Sequence, residues 1–359
     1  MGNLKLKSNL VLAPLAGYTS LAFRLEIRAL GGVGLATTDL VNARSFLERN
    51  RKAKTLIESR PEDRPLAVQI YGRVAEELRD AAAGLEAFGV DVIDINFGCP
   101  MPKITRRGAG AALLSEPDVA VRIAAAVAGA VRIPVTCKMR LGPDAKTLAA
   151  PDLSARLEDA GVAGIIIHGR TRAQGFTRAV DLAGIRAVVA AVKRIPVFGN
   201  GDVTTPEAAK FMMEATGCAG VAIGRGAILD PFLFRRTRHY LDTGEILPEA
   251  TFEDRIAFMT RHLRWMIEIL GERVGCRNFR KIALYYARRF GPAADFERRI
   301  STFHDKAEFD AALAHYRVWR QRFSDSAGNL LPKFAPVPPR PSFMAPPGIP
   351  VPAIPESGA

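Results

Sequence analysis

One cysteine sits where a thiol can do chemistry. Cys99 lies in Asp94-Ile95-Asn96-Phe97-Gly98-Cys99-Pro100, directly after the β-type run at 92–95. A strand running into Gly-Cys-Pro lifts the thiol off the end of a sheet. Gly98 permits an unusual backbone angle there, and Pro100 fixes φ on the far side. A thiol held this way is a candidate acid or nucleophile; the alternative is a buried structural cysteine.

Two further runs end on groups of the right kind. Lys138 closes one within Cys137-Lys138-Met139-Arg140, and His168 closes another. A lysine aimed into a cavity needs a negative partner. A reduced flavin supplies one around N1 and O2, with Lys138 and His168 beside it. A Schiff-base lysine is the rival reading, but it leaves Cys99 unexplained. No second histidine or carboxylate cluster accompanies His168, so no metal site is expected. Gly199-Asn200-Gly201-Asp202 and Gly224-Arg225-Gly226-Ala227 are phosphate-binding signals, because glycines let backbone N–H groups approach an anion.

The elements that must position these residues are short and apolar. β-prone runs recur at 10–13, 34–37, 66–70, 92–96, 135–138, 164–168, 196–199 and 220–223, with helix-like segments between them. Continuous apolar strands alternating with helices mean parallel β and βα units. Eight of them in about 240 residues give an α/β chain folded as a (β/α)8 TIM barrel. An open doubly wound sheet is second, since no G-x-G-x-x-G follows the first strand. Gln69, Asn96, Lys138, His168, Asn200 and Arg225 fall at or just beyond strand C-terminal ends, the catalytic face of a barrel.

The pattern changes near residue 242. Apolar residues take helical spacing from 252 to about 322, with turn signals at Gly271, Gly275 and Gly291-Pro292. This region is rich in arginine, and Arg273, Arg277, Arg280, Lys281 and Arg288 are three, four or seven residues apart, a possible helical stripe. Over the whole chain of 359 residues, Lys and Arg number 50 against 37 Asp and Glu, which suits a polyanionic partner. The expected layout is a barrel at 1–241, a small all-helical domain at 242–326 and a proline-rich disordered tail at 327–359. The four scattered cysteines fit a reducing cytoplasm, and neither a membrane span nor a secretory leader is expected.

Taken in order, Ala13-Pro14-Leu15-Ala16-Gly17, Val68-Gln69-Ile70-Tyr71-Gly72, Asn96-Phe97-Gly98-Cys99-Pro100, Lys103-Ile104, Lys138-Met139-Arg140, Ile167-His168-Gly169-Arg170-Thr171-Arg172, Gly199-Asn200-Gly201-Asp202 and Gly224-Arg225 resemble the tRNA-dihydrouridine synthase family, in its bacterial B-type branch. The resemblance implies an FMN enzyme that reduces uridines of tRNA with NADPH or NADH, expected as a monomer. It implies that Pro14, Leu15 and Ala16 line the flavin and that Gln69 bonds its pyrimidine side. Asn200, Gly201, Asp202, Gly224 and Arg225 would hold the ribityl chain and phosphate. Hydride would pass from flavin N5 to uracil C6 and a proton from Cys99 to C5. Asn96 and Arg170 are expected contacts to base or flavin, and Lys103, Arg140 and Arg172 cations on the substrate side. Arg277, Arg280 and Lys281 are expected on the RNA. The target base must be extruded into the pocket.

Three places depart from the family pattern. Phe97 stands where methionine is common, Leu141-Gly142-Pro143-Asp144 replaces a Thr-Gly-Trp type run, and Arg280-Lys281-Ile282 replaces Arg-Lys-His. An FMN barrel acting on a small molecule, of the dihydroorotate or dihydropyrimidine dehydrogenase type, is the alternative; a basic helical appendage has no use there.

Overall fold

Side-chain alternation along eight parallel strands decides what the inside of this molecule holds. The computed structural model describes residues 1–326 and 328–344. The strands are β1 (Leu10–Leu12), β2 (Leu35–Thr37), β4 (Leu66–Tyr71), β5 (Val92–Phe97), β6 (Val135–Arg140), β7 (Gly164–His168), β8 (Val197–Asn200) and β9 (Gly220–Ile223), with β3 (Val41–Asn42) a two-residue addition beside β4. They pair in parallel in chain order, and the pairings of β1 with β9 and of β2 with β4 close the ring. The expected barrel is therefore present.

The apolar core divides as the period of two requires. Val11, Leu35, Ala67, Val92, Ile166, Phe198 and Ala222 face one another inside the barrel. Their neighbours Leu10, Leu66, Ile93, Ile165 and Val221 face outward onto the helices. Full burial of each such Val, Leu or Ile contributes about 1.5–3 kcal/mol relative to exposure. Met1, Leu4 and Leu6 pack against the lower end of the inner cluster. Above it the same parity turns Gln69, Asp94, Asn96, Thr136, Lys138, Arg140, His168 and Asn200 inward, so the upper barrel is polar. Cys137, one position out of phase, is buried in the outer layer.

After the barrel the chain is helical. A capping box, in which Thr251 and Asp254 satisfy each other's backbone N–H groups, starts the helix Phe252–Leu270. Helices Glu272–Ala287, Ala294–Ile300 and Lys306–Arg320 follow. Phe258, Phe279, Tyr286, Phe290, Phe296, Phe309 and Tyr316 form their aromatic core. Gly275 is not the turn that was expected. It lies inside Glu272–Ala287, where a Cβ would stand 2.7 Å from the Met266 carbonyl oxygen; it allows two helices to touch. Gly271, at φ +78°, makes the break instead.

Ion pairs tie this helical region to the barrel. Asp230, just past β9, pairs with Arg255 at 3.0 Å and Arg236 at 3.1 Å, and Glu26 accepts from Arg261 and Trp265.

Residues 328–344 of the expected tail run largely extended against the rest of the chain. Leu330 bridges Ser324, Phe334 packs edge-on against Phe323 at 4.8 Å, and Pro341 and Ser342 are buried. A proline-rich run has no helical period, yet its aromatic and apolar side chains still find a surface to cover. Residue 327 and residues 345–359, the rest of that expected tail, lie outside the described residues.

Candidate active site

A cavity of about 330 Å³ opens at the C-terminal ends of the strands. Ala13, Pro14, Leu15 and Ala16 line one side. Gln69, Asn96 and Lys138 form the floor with Arg140, His168 and Asn200, and Gly201, Asp202, Gly224 and Arg225 form the far side. Cys99 stands on the rim. The structure thus gathers the residues expected around a cofactor, Arg170 excepted, from six separate strand ends into one site.

The floor is a connected network. Asp94 is fully buried and accepts from Thr136 Oγ1 at 2.7 Å and Gln69 Nε2 at 2.6 Å. Asn96 Nδ2 donates to Gln69 Oε1 at 2.8 Å. Asn96 Oδ1 in turn accepts from the backbone N–H groups of Gly98 and Cys99, at 3.1 and 2.9 Å. A buried carboxylate thereby fixes two amides, and the second amide fixes the cysteine loop. Burial pushes the Asp94 carboxyl up to about 6, against the pull of Thr136, Gln69 and Lys138. Gly110, at φ +61°, backs the loop: a Cβ there would meet the Cys99 carbonyl oxygen at 2.8 Å.

The Cys99 thiol is pushed up by burial, which outweighs the Met101 N–H and the charges of Arg140 and Lys138. It is a protonated thiol at neutral pH, suited to give a proton rather than to attack. Lys138 donates to Asn200 Oδ1 at 3.0 Å, and Asn200 donates to the Ala222 carbonyl at 2.7 Å. Burial, then Arg140, lowers Lys138 to about 8. Burial and the surrounding cations Arg140, Lys138, Arg170 and Arg225 hold the His168 ring neutral. The cavity is cationic on this side and suits an anion.

Several expected site residues do other work. Arg170 is 1% exposed; both of its terminal nitrogens bond Asp202, and Nε reaches the carbonyls of Thr177 and Arg178. It holds the wall of the site from behind. Burial alone would raise the Asp202 carboxyl, but the Arg170 hydrogen bond and charge bring it below its usual range. Arg140 donates to Gly98, Thr171 and Gly175 carbonyls and so staples the cysteine loop to the loop after β7. Lys103 and Arg172 are exposed outside the cavity. Arg280 is turned onto the Phe303 carbonyl at 2.8 Å, and Ile282 is buried in the helical core. Arg277 is exposed, and Lys281 reaches the cavity rim with its ammonium 4.5 Å from the centre of the Tyr18 ring.

Sequence reasoning missed Asp94, Phe176 and Asp39. Asp94 was legible, two residues before Asn96 on the same strand and hence on the same face. Phe176 comes from an irregular loop and lies under Arg225, 4.4 Å from ring centre to guanidinium carbon. Asp39 accepts from the Gly17 and Leu40 N–H groups and orders the rim. Among the described residues, no group of three or more His, Cys, Asp or Glu is placed to hold a metal ion, and no helix is long and apolar enough to cross a membrane.

Fold and site together define a parallel-barrel enzyme with a cationic mouth and a protonated thiol on its rim. Comparison with known proteins specifies which kind: the dihydrouridine synthase family model matches residues 11–322, and the chain belongs to that family. It is 36% identical to tRNA-dihydrouridine synthase B of Vibrio vulnificus (strain CMCP6) over 327 residues, 91% of this chain and 99% of that protein. It is 37% identical to tRNA-dihydrouridine synthase B of Pseudomonas putida over 333 residues, 92% of this chain and 97% of that one. Among solved structures, histamine dehydrogenase from Rhizobium sp. 4-9 superposes with a TM-score of 0.51 at 11% identity, over 74% of this chain and 50% of that one; this likeness concerns the fold.

Proposed function

We propose that this chain reduces uridine in tRNA to 5,6-dihydrouridine, with FMN in the barrel mouth and NADPH or NADH as reductant. The observation that carries the reading is one continuous surface. The protonated Cys99 thiol stands on the rim of a cationic cavity, and Lys281, on the same rim, belongs to a helix whose exposed face continues in Arg277 and Arg273.

The residues present fit FMN. The cavity has apolar backbone on one side, amides below and cations with glycines on the other. Gly201, at φ +126°, has no room for a side chain, since a Cβ would stand 2.7 Å from Val180. Pro14, Leu15, Ala16 and Gln69 would hold the ring, Lys138 and His168 its electron-rich edge, and Asn200, Gly201, Asp202, Gly224 and Arg225 the ribityl phosphate. Bound FMN supplies hydride transfer.

This chain's own residues do the rest. Lys138 offers positive charge where negative charge gathers. The neutral His168 offers a hydrogen bond without adding charge. Cys99 holds a proton on Sγ and gives it to C5 of the base. Arg277 and Lys281 carry phosphate contacts to an RNA whose base is turned into the mouth. Such an enzyme works in the cytoplasm, where its RNA is.

Dihydrouridine mapping in cellular tRNA and ribosomal RNA, with and without the gene, tests this reading. Loss of dihydrouridine at particular tRNA positions is expected; an unchanged map sinks it. A small-molecule substrate would give activity nearly independent of salt, whereas RNA binding gives a steep fall with salt.

A further inference from the structure

The family match ends at residue 322, yet the described chain continues to Met344 and returns to the barrel. Three anchors hold this strap. Thr204 Oγ1 donates to the Pro339 carbonyl at 3.1 Å, Phe343 stacks on Phe211 with ring planes 7° apart, and Val180 N–H donates to Ser342 Oγ at 3.1 Å. Ser342 is 7% exposed. Its neighbours are the Arg170–Asp202 pair: Ser342 Oγ accepts from Arg170 Nη2 at 3.5 Å, and both terminal nitrogens of Arg170 bond the Asp202 carboxylate.

The bonding capacity of a hydroxyl sets the direction. Ser342 Oγ accepts from Val180 and Arg170, which uses both of its lone pairs and ties the strap to the Arg170 guanidinium. Asp202 sits at φ +47°, a conformation uncommon for aspartate, and accepts from Arg225 Nη2 at 3.0 Å. Asp202 and Arg225 both line the cavity, whereas Ser342 does not. We propose that Ser342, carried on this C-terminal strap, is a positioning residue for the phosphate-binding wall, fixing the Arg170 guanidinium and through it Asp202 and Arg225 from beyond the residues the family model matches. The inference rests on the FMN reading for its ligand.

The test uses full-length protein stripped of flavin. Ser342→Ala is expected to weaken FMN binding, read by quenching of flavin fluorescence, by roughly fivefold, the size of one ordinary lost hydrogen bond. The melting temperature of the apoprotein should stay within about 1 °C of the parent, and Ser342→Thr should restore part of the affinity. Phe343→Ala, which loosens the strap, should weaken FMN in the same direction. Hydrogen exchange at the Val180 amide reads the strap without any ligand and should quicken in Ser342→Ala. An unchanged FMN affinity, or a loss that tracks a matching fall in apoprotein melting temperature, overturns the proposal. Failure of the parent protein to bind FMN while Val180 exchange still responds would condemn the FMN reading, and with it the positioning role, but leave the strap's contact standing.

Discussion

Asn96 governs Cys99 through the backbone. Its Oδ1 accepts from the Cys99 N–H at 2.9 Å, while its Nδ2 is committed to Gln69 at 2.8 Å. The cysteine loop is held from inside the barrel by an amide that cannot rotate without breaking bonds at both ends. Asn96→Ala strands two loop N–H groups. Alkylation of Cys99 in the apoprotein should quicken severalfold and turnover should fall about tenfold. An unaltered alkylation rate would place the restraint elsewhere.

Cys99→Ala should remain yellow on purification and lose about a hundredfold or more in tRNA reduction, the range for a missing general acid. Single-turnover kinetics with pre-reduced enzyme isolate the step. Parental rates in that assay would remove Cys99 from the mechanism.

Lys138 titrates at about 8, so it carries its charge at neutral pH and loses it as pH rises through that value. Turnover is expected to decline above about pH 8, and Lys138→Arg should move the decline upward. Stability runs the other way: the unfolded chain keeps the lysine proton to higher pH, so burying the ammonium costs less as pH climbs from about 8 toward 10.5. A pH–rate profile identical in the arginine variant would show that another group controls it.

Asp94 has a folded-state carboxyl at about 6 against an ordinary 3.8. The folded protein therefore holds this proton more tightly, and stability falls as pH rises across that window, by on the order of 1–3 kcal/mol from this group. Asp94→Asn fits the same space: its oxygen accepts from Gln69 and its NH₂ donates to Thr136. Urea melts at pH 4 and pH 8 should show the variant gaining stability relative to the parent at pH 8 only. A gain of equal size at both pH values would mean that the carboxyl charge is not the cause.

On the helix Glu272–Ala287, Arg277→Ala and Lys281→Ala should each weaken tRNA binding and reduce the dependence of log affinity on log salt by about one. Flavin content should not change for Arg277→Ala. Arg280→Ala should act instead through thermal stability, because its guanidinium braces the Phe303 carbonyl. If Arg280 altered the salt slope while Arg277 did not, the RNA path would have to be redrawn.

The barrel was legible because its strands are apolar, β-prone runs of regular spacing, and because residues two apart on a strand share a face. That periodicity also foretold a polar mouth from Gln69, Asn96, Lys138, His168 and Asn200. The motif around Cys99 marked the candidate acid. Local pattern could not say which arginine is free. Arg170 and Arg280 look like Arg277 in sequence, yet one is buried on Asp202 and another lies on a carbonyl, since partners 23 or more residues distant decide the matter.

The chain alone thus determined the fold, the face that carries chemistry and the family, since these follow from short-range spacing and contiguous motifs. Only the tertiary structure decided that Gly275 is a helix contact, that residues 328–344 are docked, and that Ser342 meets Arg170 from 172 positions away. Those outcomes rest on packing between segments far apart in sequence, where a side chain's role is set by what folding brings against it.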